Sequence, residues 1–141
     1  MQGSYRYVLL ADDDKDDVVL MEEAFYRKGV TEKLASVKDG NELLKYLYAL
    51  NDRSKWPRLI LLDLNMPGKG GRETLIELKQ HHSLKMIPVV IYSTTSDQSE
   101  IKQCYELGAN SYVVKPAAFE KLLHAVDNIR SYWCQTAAVV L

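Results

Sequence analysis

Long apolar runs are missing from these 141 residues: none approaches the roughly 18 that a membrane-spanning helix needs. The opening stretch MQGSYRYVLL also lacks the extended apolar region and cleavage site of a signal peptide. Cysteine is scarce, with only Cys104 and Cys134, far apart. Neither a disulfide framework nor a zinc site is expected from two such residues, and a reducing cytoplasm is the simplest compartment. Basic excess is missing as well. The net charge is -1, and Lys and Arg are scattered, so no field exists to hold nucleic acid. There is no internal repeat and no low-complexity tract. What is present is ordinary globular composition, 47% hydrophobic and 26% charged, at the length of one domain spanning residues 1–141.

Within that length, short apolar runs alternate with amphipathic stretches. YRYVLLA reads as a strand, and DKDDVVLMEEAFYRKG as a helix whose aspartates suit its positive N-terminal end and whose Gly29 suits its stop. Val18, Met21, Ala24 and Phe25 recur at helical spacing and are expected to face a core. KLASVK is a weaker strand, GNELLKYLYAL a second helix, and NDRSKWPR a long polar loop. LILLD, IPVVIYS and SYVV complete five strands, separated by helices over GRETLIELKQHH and DQSEIKQCYELGAN and followed by AFEKLLHAVDNIRSYW. Strand and helix alternate five times, which predicts an α/β fold: a doubly wound, five-stranded parallel sheet with helices on both faces. The strands are apolar throughout rather than alternating, as burial on both sides requires.

Ligands of open parallel sheets bind beyond the carboxyl ends of the strands. Here the first strand ends in Asp12, Asp13 and Asp14, the third in Asp63, the fourth in Ser93 and Thr94, and the fifth in Lys115 and Pro116. An acid at the end of LILLD could be a simple turn cap. That reading makes the other three endings coincidence. If strand one is central, Asp12, Asp13 and Asp63 converge on one edge, and three carboxylates stay ionised together only around a cation. A few carboxylates, one backbone carbonyl (that of Asn65) and water suit Mg2+ better than Ca2+. Lys115 and the Ser93 hydroxyl would meet further negative charge arriving there. Metal, lysine and hydroxyl around an acid nucleophile make a phosphoryl-transfer site.

These residues resemble the receiver domain of two-component response regulators. The acidic pair DD, the strand LLDLNMP with its later Gly71, the hydroxyl after PVVIY and the KP after YVV fall in that family's order, over about residues 5–133. The resemblance implies a flavodoxin-like fold and Asp63 as phospho-acceptor. Asp13 would bind Mg2+ directly, Asp12 through water, and Asn65 through its backbone carbonyl. Ser93 and Tyr112 would be the switch pair. Lys115 would pair with a phosphoryl oxygen, and the Lys115–Pro116 bond would be cis. GRETL, the extended loop before strand three and the ending IRSYW further resemble single-domain regulators that partner bacterial phytochrome-type sensor kinases. The implied partners are a sensor histidine kinase and an unidentified downstream protein, with no nucleic acid, no membrane and no output domain after residue 141. The implied activity is a self-phosphorylating switch rather than a turnover enzyme.

Several residues invite sharper readings than they support. His81 and His82 have no further ligands at useful spacing and read as a solvated helix end; His124 reads as surface. GKGG lacks the Lys and hydroxyl of a phosphate-binding loop, so its glycines read as backbone freedom near Asp63. The tail over 134–141 is apolar where polar residues are usual, and it either folds back on the domain or meets a partner. A homodimer is expected through the last two strand–helix units and that tail, using Ile101, Tyr105, Leu107, Leu122, Val126, Ile129 and Trp133. Two alternatives compete. A haloacid-dehalogenase-type phosphatase also uses an aspartyl nucleophile with Mg2+, but needs a second Asp two residues on, where this chain has Asn65. A scaffold receiver that needs no phosphate is the least favoured reading, because all the expected site residues are present.

Overall fold

The computed structural model describes residues 7–29 and 33–140; the expected start of the first strand, Tyr5 and Arg6, and the terminal Leu141 lie outside them. The elements run β1 (Val8–Ala11), α1 (Lys15–Arg27), β2 (Leu34–Val37), α2 (Gly40–Tyr48), β3 (Leu59–Leu62), α3 (Gly71–Gln80), β4 (Val89–Ser93), α4 (Gln98–Glu106), β5 (Ser111–Val114) and α5 (Phe119–Ile129). All strands are parallel in the order β2-β1-β3-β4-β5, so strand order reverses about β1, as expected for a doubly wound sheet.

The apolar strands are buried on both faces because successive side chains point to opposite sides. Leu9, Ala11, Ile60, Leu62, Val89 and Ile91 face α2, α3 and α4, where Leu43, Leu47, Leu75, Leu78 and Cys104 meet them. Val8, Leu10, Leu59, Leu61, Val90 and Tyr92 face α1 and α5, meeting Met21, Ala24, Phe25, Leu122, Val126 and Ile129. Each such apolar side chain contributes on the order of 1.5–3 kcal/mol. Four consecutive ones in β3 are therefore enough to hold Asp63, the next residue, at 5% exposure. The edge strands β2 and β5 are less covered.

Three details differ from the sequence reading. The loop over 51–58 is not merely polar: Asp52 caps a single 3-10 turn (Arg53–Lys55), and Trp56 is buried under the Arg53 guanidinium, 5.3 Å from its ring centre. His81 is a structural cap, its Nδ1 accepting the amides of Ser83 and Leu84 at 3.1 and 3.0 Å. The helical path also runs past α5 through a wide turn, Arg130–Thr136. There Trp133 and Cys134 pack on the α1–α5 layer, and the Trp133 carbonyl accepts from Arg58 Nε at 3.0 Å. The first part of the tail therefore folds back onto its own domain. Leu122, Val126 and Ile129 are buried there too, so they are not available to a second copy; from α4 onward, the exposed large apolar residues among the described ones are Tyr105, Val114, Tyr132 and Val140. Neither cysteine is in a disulfide. No helix among the described residues is long and apolar enough to cross a membrane.

Candidate functional site

Register brings the acids together. Ala11 pairs with Val37 on one side and Leu62 on the other, so β1 and β3 end level with each other. The Asp12 amide donates to the Val37 carbonyl and the Asp63 amide to the Ala11 carbonyl, both at 3.0 Å, which fixes each acid as the first residue beyond its strand. The same holds on the other side, where Ser93 pairs with Val114 and the Lys115 amide donates to the Ser93 carbonyl at 2.7 Å.

One oxygen from each of Asp12, Asp13 and Asp63 lies within 4.8 Å of the others. Asp12 and Asp63 are buried and Asp13 is exposed, so the group opens to solvent on one side only. The third aspartate of the run does a different job. Asp14 caps α1, its carboxylate accepting the amides of Asp16 and Asp17, while its own amide donates to Asp12 Oδ1 at 2.9 Å.

Lys115 reaches in from β5. Its Nζ lies 2.7 Å from Asp17 Oδ2, 2.9 Å from Asp12 Oδ2 and 3.2 Å from Asp63 Oδ2, with the Tyr92 ring centre 5.5 Å away. Burial works against the ammonium, but the close carboxylates of Asp17 and Asp12 and the field of Asp63 outweigh it, and its pKa rises above the ordinary lysine value. Asp12 behaves in the opposite way. Burial pushes its carboxyl up to about 6, against the Lys115 ammonium and the Asp14 amide. Burial likewise lifts the Tyr92 phenol to about 12.

The donor set fits a hard divalent cation. Three carboxylates, those of Asp12, Asp17 and Asp63, surround one ammonium, and Asp13 joins Asp12 and Asp63 on the open side. Asp12 Oδ2 is fully buried with no hydrogen-bond donor aligned on it, so its lone pairs are open to a cation or to a water held by one. Asn65 stands in the loop after β3, its amide donating to Asp63 Oδ1 at 3.3 Å. It puts no second carboxylic acid there, so the phosphatase reading lacks its general acid.

Ser93 ends β4 fully buried, its Oγ accepting the Thr95 amide at 3.4 Å. Tyr112 is on the adjacent strand but not at its end: it lies opposite Ile91. The length of its ring still carries the hydroxyl to the carbonyl of Thr95, two residues past Ser93, at 2.8 Å. Burial raises the Tyr112 phenol pKa, and a hydrogen bond with Ser93 opposes it. The glycines after Asp63 divide their work. Gly68 turns the chain at φ +68°, which favours glycine. Gly71 has no such φ and is needed for close approach, because a Cβ there would press on the Asp63 carbonyl and lie 2.7 Å from Leu64 Cα.

Of the expected site residues, Asp12, Asp13, Asp63 and Lys115 therefore meet, while the Ser93 hydroxyl bonds the Thr95 amide and Asn65 meets Asp63 through its own amide. One was missed, Asp17, because every acid at the start of α1 was assigned to the helix dipole. Its signal is weak, since Asp13 precedes the N-cap Asp14 and helical spacing does not relate it to Asp17. One expectation is corrected, since the Lys115–Pro116 bond is trans. Trans is the intrinsically preferred form of an X–Pro bond by about 0.5–1 kcal/mol.

The comparisons with known proteins agree with this geometry. The family model described as response regulator receiver domain matches residues 8–127. Response regulator Rcp1 of Synechocystis sp. is 35% identical over 136 residues, which cover 95% of this chain and 92% of Rcp1. The crystal structure of the phosphorylated cyanobacterial phytochrome response regulator RcpA is similar at a TM-score of 0.88 and 37% identity, covering 97% of this chain and 99% of that one. The Mn2+-bound form of Rcp1 follows at a TM-score of 0.85 and 35% identity, covering 96% and 99%. The family match takes in all five strands and most of α5, and the chain accordingly belongs to the response regulator receiver domains of two-component signalling.

Proposed function

We propose that Asp63 accepts a phosphoryl group from a sensor histidine kinase in a Mg2+-dependent step, and that the chain then signals through protein contacts. The observation that carries this reading is the meeting of three carboxylates within 4.8 Å under a single buried lysine at the open end of the sheet. The Asp63 oxygens are lightly engaged, at 3.3 Å from the Asn65 amide and 3.2 Å from Lys115, so one can attack phosphorus. As that P–O bond forms, the P–N bond of a phosphohistidine donor breaks and the imidazole leaves with the electron pair. Asp12, Asp13, Asp63 and the Asn65 carbonyl would hold Mg2+, which when bound offsets the charge of phosphoryl oxygens meeting carboxylates. Lys115 donates to one phosphoryl oxygen, and the Ser93 hydroxyl to another after turning from the Thr95 amide. Tyr112, held on the Thr95 carbonyl, follows that movement. With Asn65 where a second acid would stand, the site has no general acid for repeated turnover, and the product is a switch.

RcpA is a phytochrome response regulator by its description, which supports a phytochrome-type kinase as the donor here. Val19 and Leu20 are exposed at 59% and 45%, and Val19 lines a cleft with Asp12 and Asp13, giving a kinase an apolar landing surface beside the acids. A homodimer through α4, β5 and the tail would use Tyr105, Val114 and Val140, and the cytoplasm is the matching compartment. The test is labelling with acetyl phosphate or a phosphorylated kinase. The parent should gain one phosphoryl group only with Mg2+, and Asp63→Asn none. Labelling of Asp63→Asn at the parent's level would place the chemistry elsewhere.

A further inference from the structure

The shortest of the three ion pairs made by Lys115 is with a residue that the acceptor chemistry does not require. Asp17 Oδ2 lies 2.7 Å from Nζ, closer than Asp12 at 2.9 Å or Asp63 at 3.2 Å. Asp17 belongs to the first turn of α1, not to a strand end, and its side chain is 29% exposed while the lysine is 8% exposed. We infer that Asp17 is a positioning residue for Lys115, one that sets how much positive charge the lysine offers to an arriving phosphoryl group; this rests on Asp63 being the acceptor.

An ammonium has three N–H donors. In this structure two of them are committed, one to Asp17 and one to Asp63, and Asp12 adds an ion-pair contact at 2.9 Å, so Asp17 occupies a donor that a new oxygen could otherwise take. Phosphorylation of Asp63 changes only the Asp63 contact, and Asp17 continues to hold its donor and to cancel charge from outside. Asp12 and Asp63 keep the lysine in the cluster without help, because both are buried and both are within ion-pair distance. Asp17 is thus not needed to retain Lys115. It draws the ammonium toward α1 and leaves the cluster more negative than Lys115 alone would make it. That bias favours a cation and opposes a phosphoryl group.

Replacing Asp17 by the isosteric Asn removes one charge and keeps the shape, so the two ligands should respond in opposite directions. Binding of Mg2+ to Asp17→Asn, measured by calorimetry, should weaken roughly three- to tenfold at low salt, the range left after solvent screening of a partly exposed charge. Binding of beryllium trifluoride, a phosphoryl mimic, at saturating Mg2+ should strengthen by a similar factor. Asp17→Glu, which restores the charge, should follow the parent in both. In a Lys115→Met background, Asp17→Asn should no longer strengthen beryllium trifluoride binding, because the effect acts through the lysine. Asp17→Ser repeats the measurement if the Asn variant folds poorly, as circular dichroism would report. Weakening of both ligands together would reduce Asp17 to a structural role, and no change in either beyond twofold would also overturn the inference. Failure of the parent to label at Asp63 is a separate result: it overturns the acceptor reading, which the Mg2+ titrations do not touch.

Discussion

Replacing Gly71 by Ala tests the packing that places Asp63. Gly71 opens α3, and its amide donates to the Leu64 carbonyl at 3.0 Å. An added Cβ would press on the Asp63 carbonyl oxygen and lie 2.7 Å from Leu64 Cα and 2.9 Å from the Asp63 carbonyl carbon. These are backbone atoms of the segment leaving the central strand, so no side-chain rotation relieves the contact. The start of α3 must retreat, taking with it Thr74, Leu75 and Leu78, all of them buried. Overpacking of this kind costs roughly 1–3 kcal/mol. The weakened amide bond adds about 1 kcal/mol. A total of about 3 kcal/mol lowers the melting temperature of a domain this size by roughly 10 °C. Gly70→Ala is the internal control, since its Cβ would meet only the Leu64 carbonyl, at 3.4 Å, and the Met66 carbonyl, at 3.9 Å. It should melt within a few degrees of the parent. Both are read by thermal denaturation followed by circular dichroism, with reversibility checked. If Gly71→Ala melts within about 2 °C of the parent, the close approach of α3 to the Asp63 backbone does not limit stability and the reasoning fails.

Three further outcomes follow from the site. Asp12 has its folded pKa raised to about 6, above the 3.8 of an ordinary Asp, so its charge costs the metal-free fold stability at neutral pH. Asp12→Asn should therefore be more stable than the metal-free parent at pH 7.5, with the gap closing as pH falls through about 6; a gap that widens on acidification would refute the burial argument. Ser93→Ala should still accept a phosphoryl group but bind its target poorly, checked by labelling alongside a pull-down of the target. Undiminished target binding by the phosphorylated variant would remove Ser93 from the coupling. Truncation after Tyr132 removes Trp133 and Cys134 from the core and the carbonyl that Arg58 bonds, so it should lower the melting temperature by several degrees, whereas truncation after Thr136 should not. Sedimentation of the parent against the chain truncated after Thr136 tests the homodimer: a parent that stays monomeric at high micromolar concentration, with and without a phosphoryl mimic, would exclude it.

Much of this molecule was legible as pattern. Period-two burial and continuous apolar strands follow from the residues of VLLA, LILL and VVIYS, because a strand covered on both faces leaves no polar position open. The site was legible for the same reason: once the strands are located, their carboxyl ends name Asp12, Asp13, Asp63, Ser93 and Lys115. Helix spacing likewise identified Met21, Ala24 and Phe25 as the buried face of α1.

What the sequence could not decide was which of several equivalent groups a given residue meets. Asp14, Asp16 and Asp17 look alike in the sequence, yet Asp14 caps the helix and Asp17 reaches Lys115, because only the packing of α1 against α5 and the sheet selects the acid that faces the lysine. Gly68 and Gly71 also look alike in GKGG, yet one is needed for its φ and the other for the distance between α3 and the Asp63 backbone. The apolar stripe of α5 and the residues after it raised the same difficulty. Hydrophobicity states that Leu122, Val126, Ile129 and Trp133 seek cover but not whose. The tertiary structure supplies that cover from the α1–α5 layer of the same chain. Residue type and spacing determine which side chains must be buried or brought to a strand end, because those depend on local periodicity. Partner choice depends on distances between segments far apart in the chain, which only the packed structure sets.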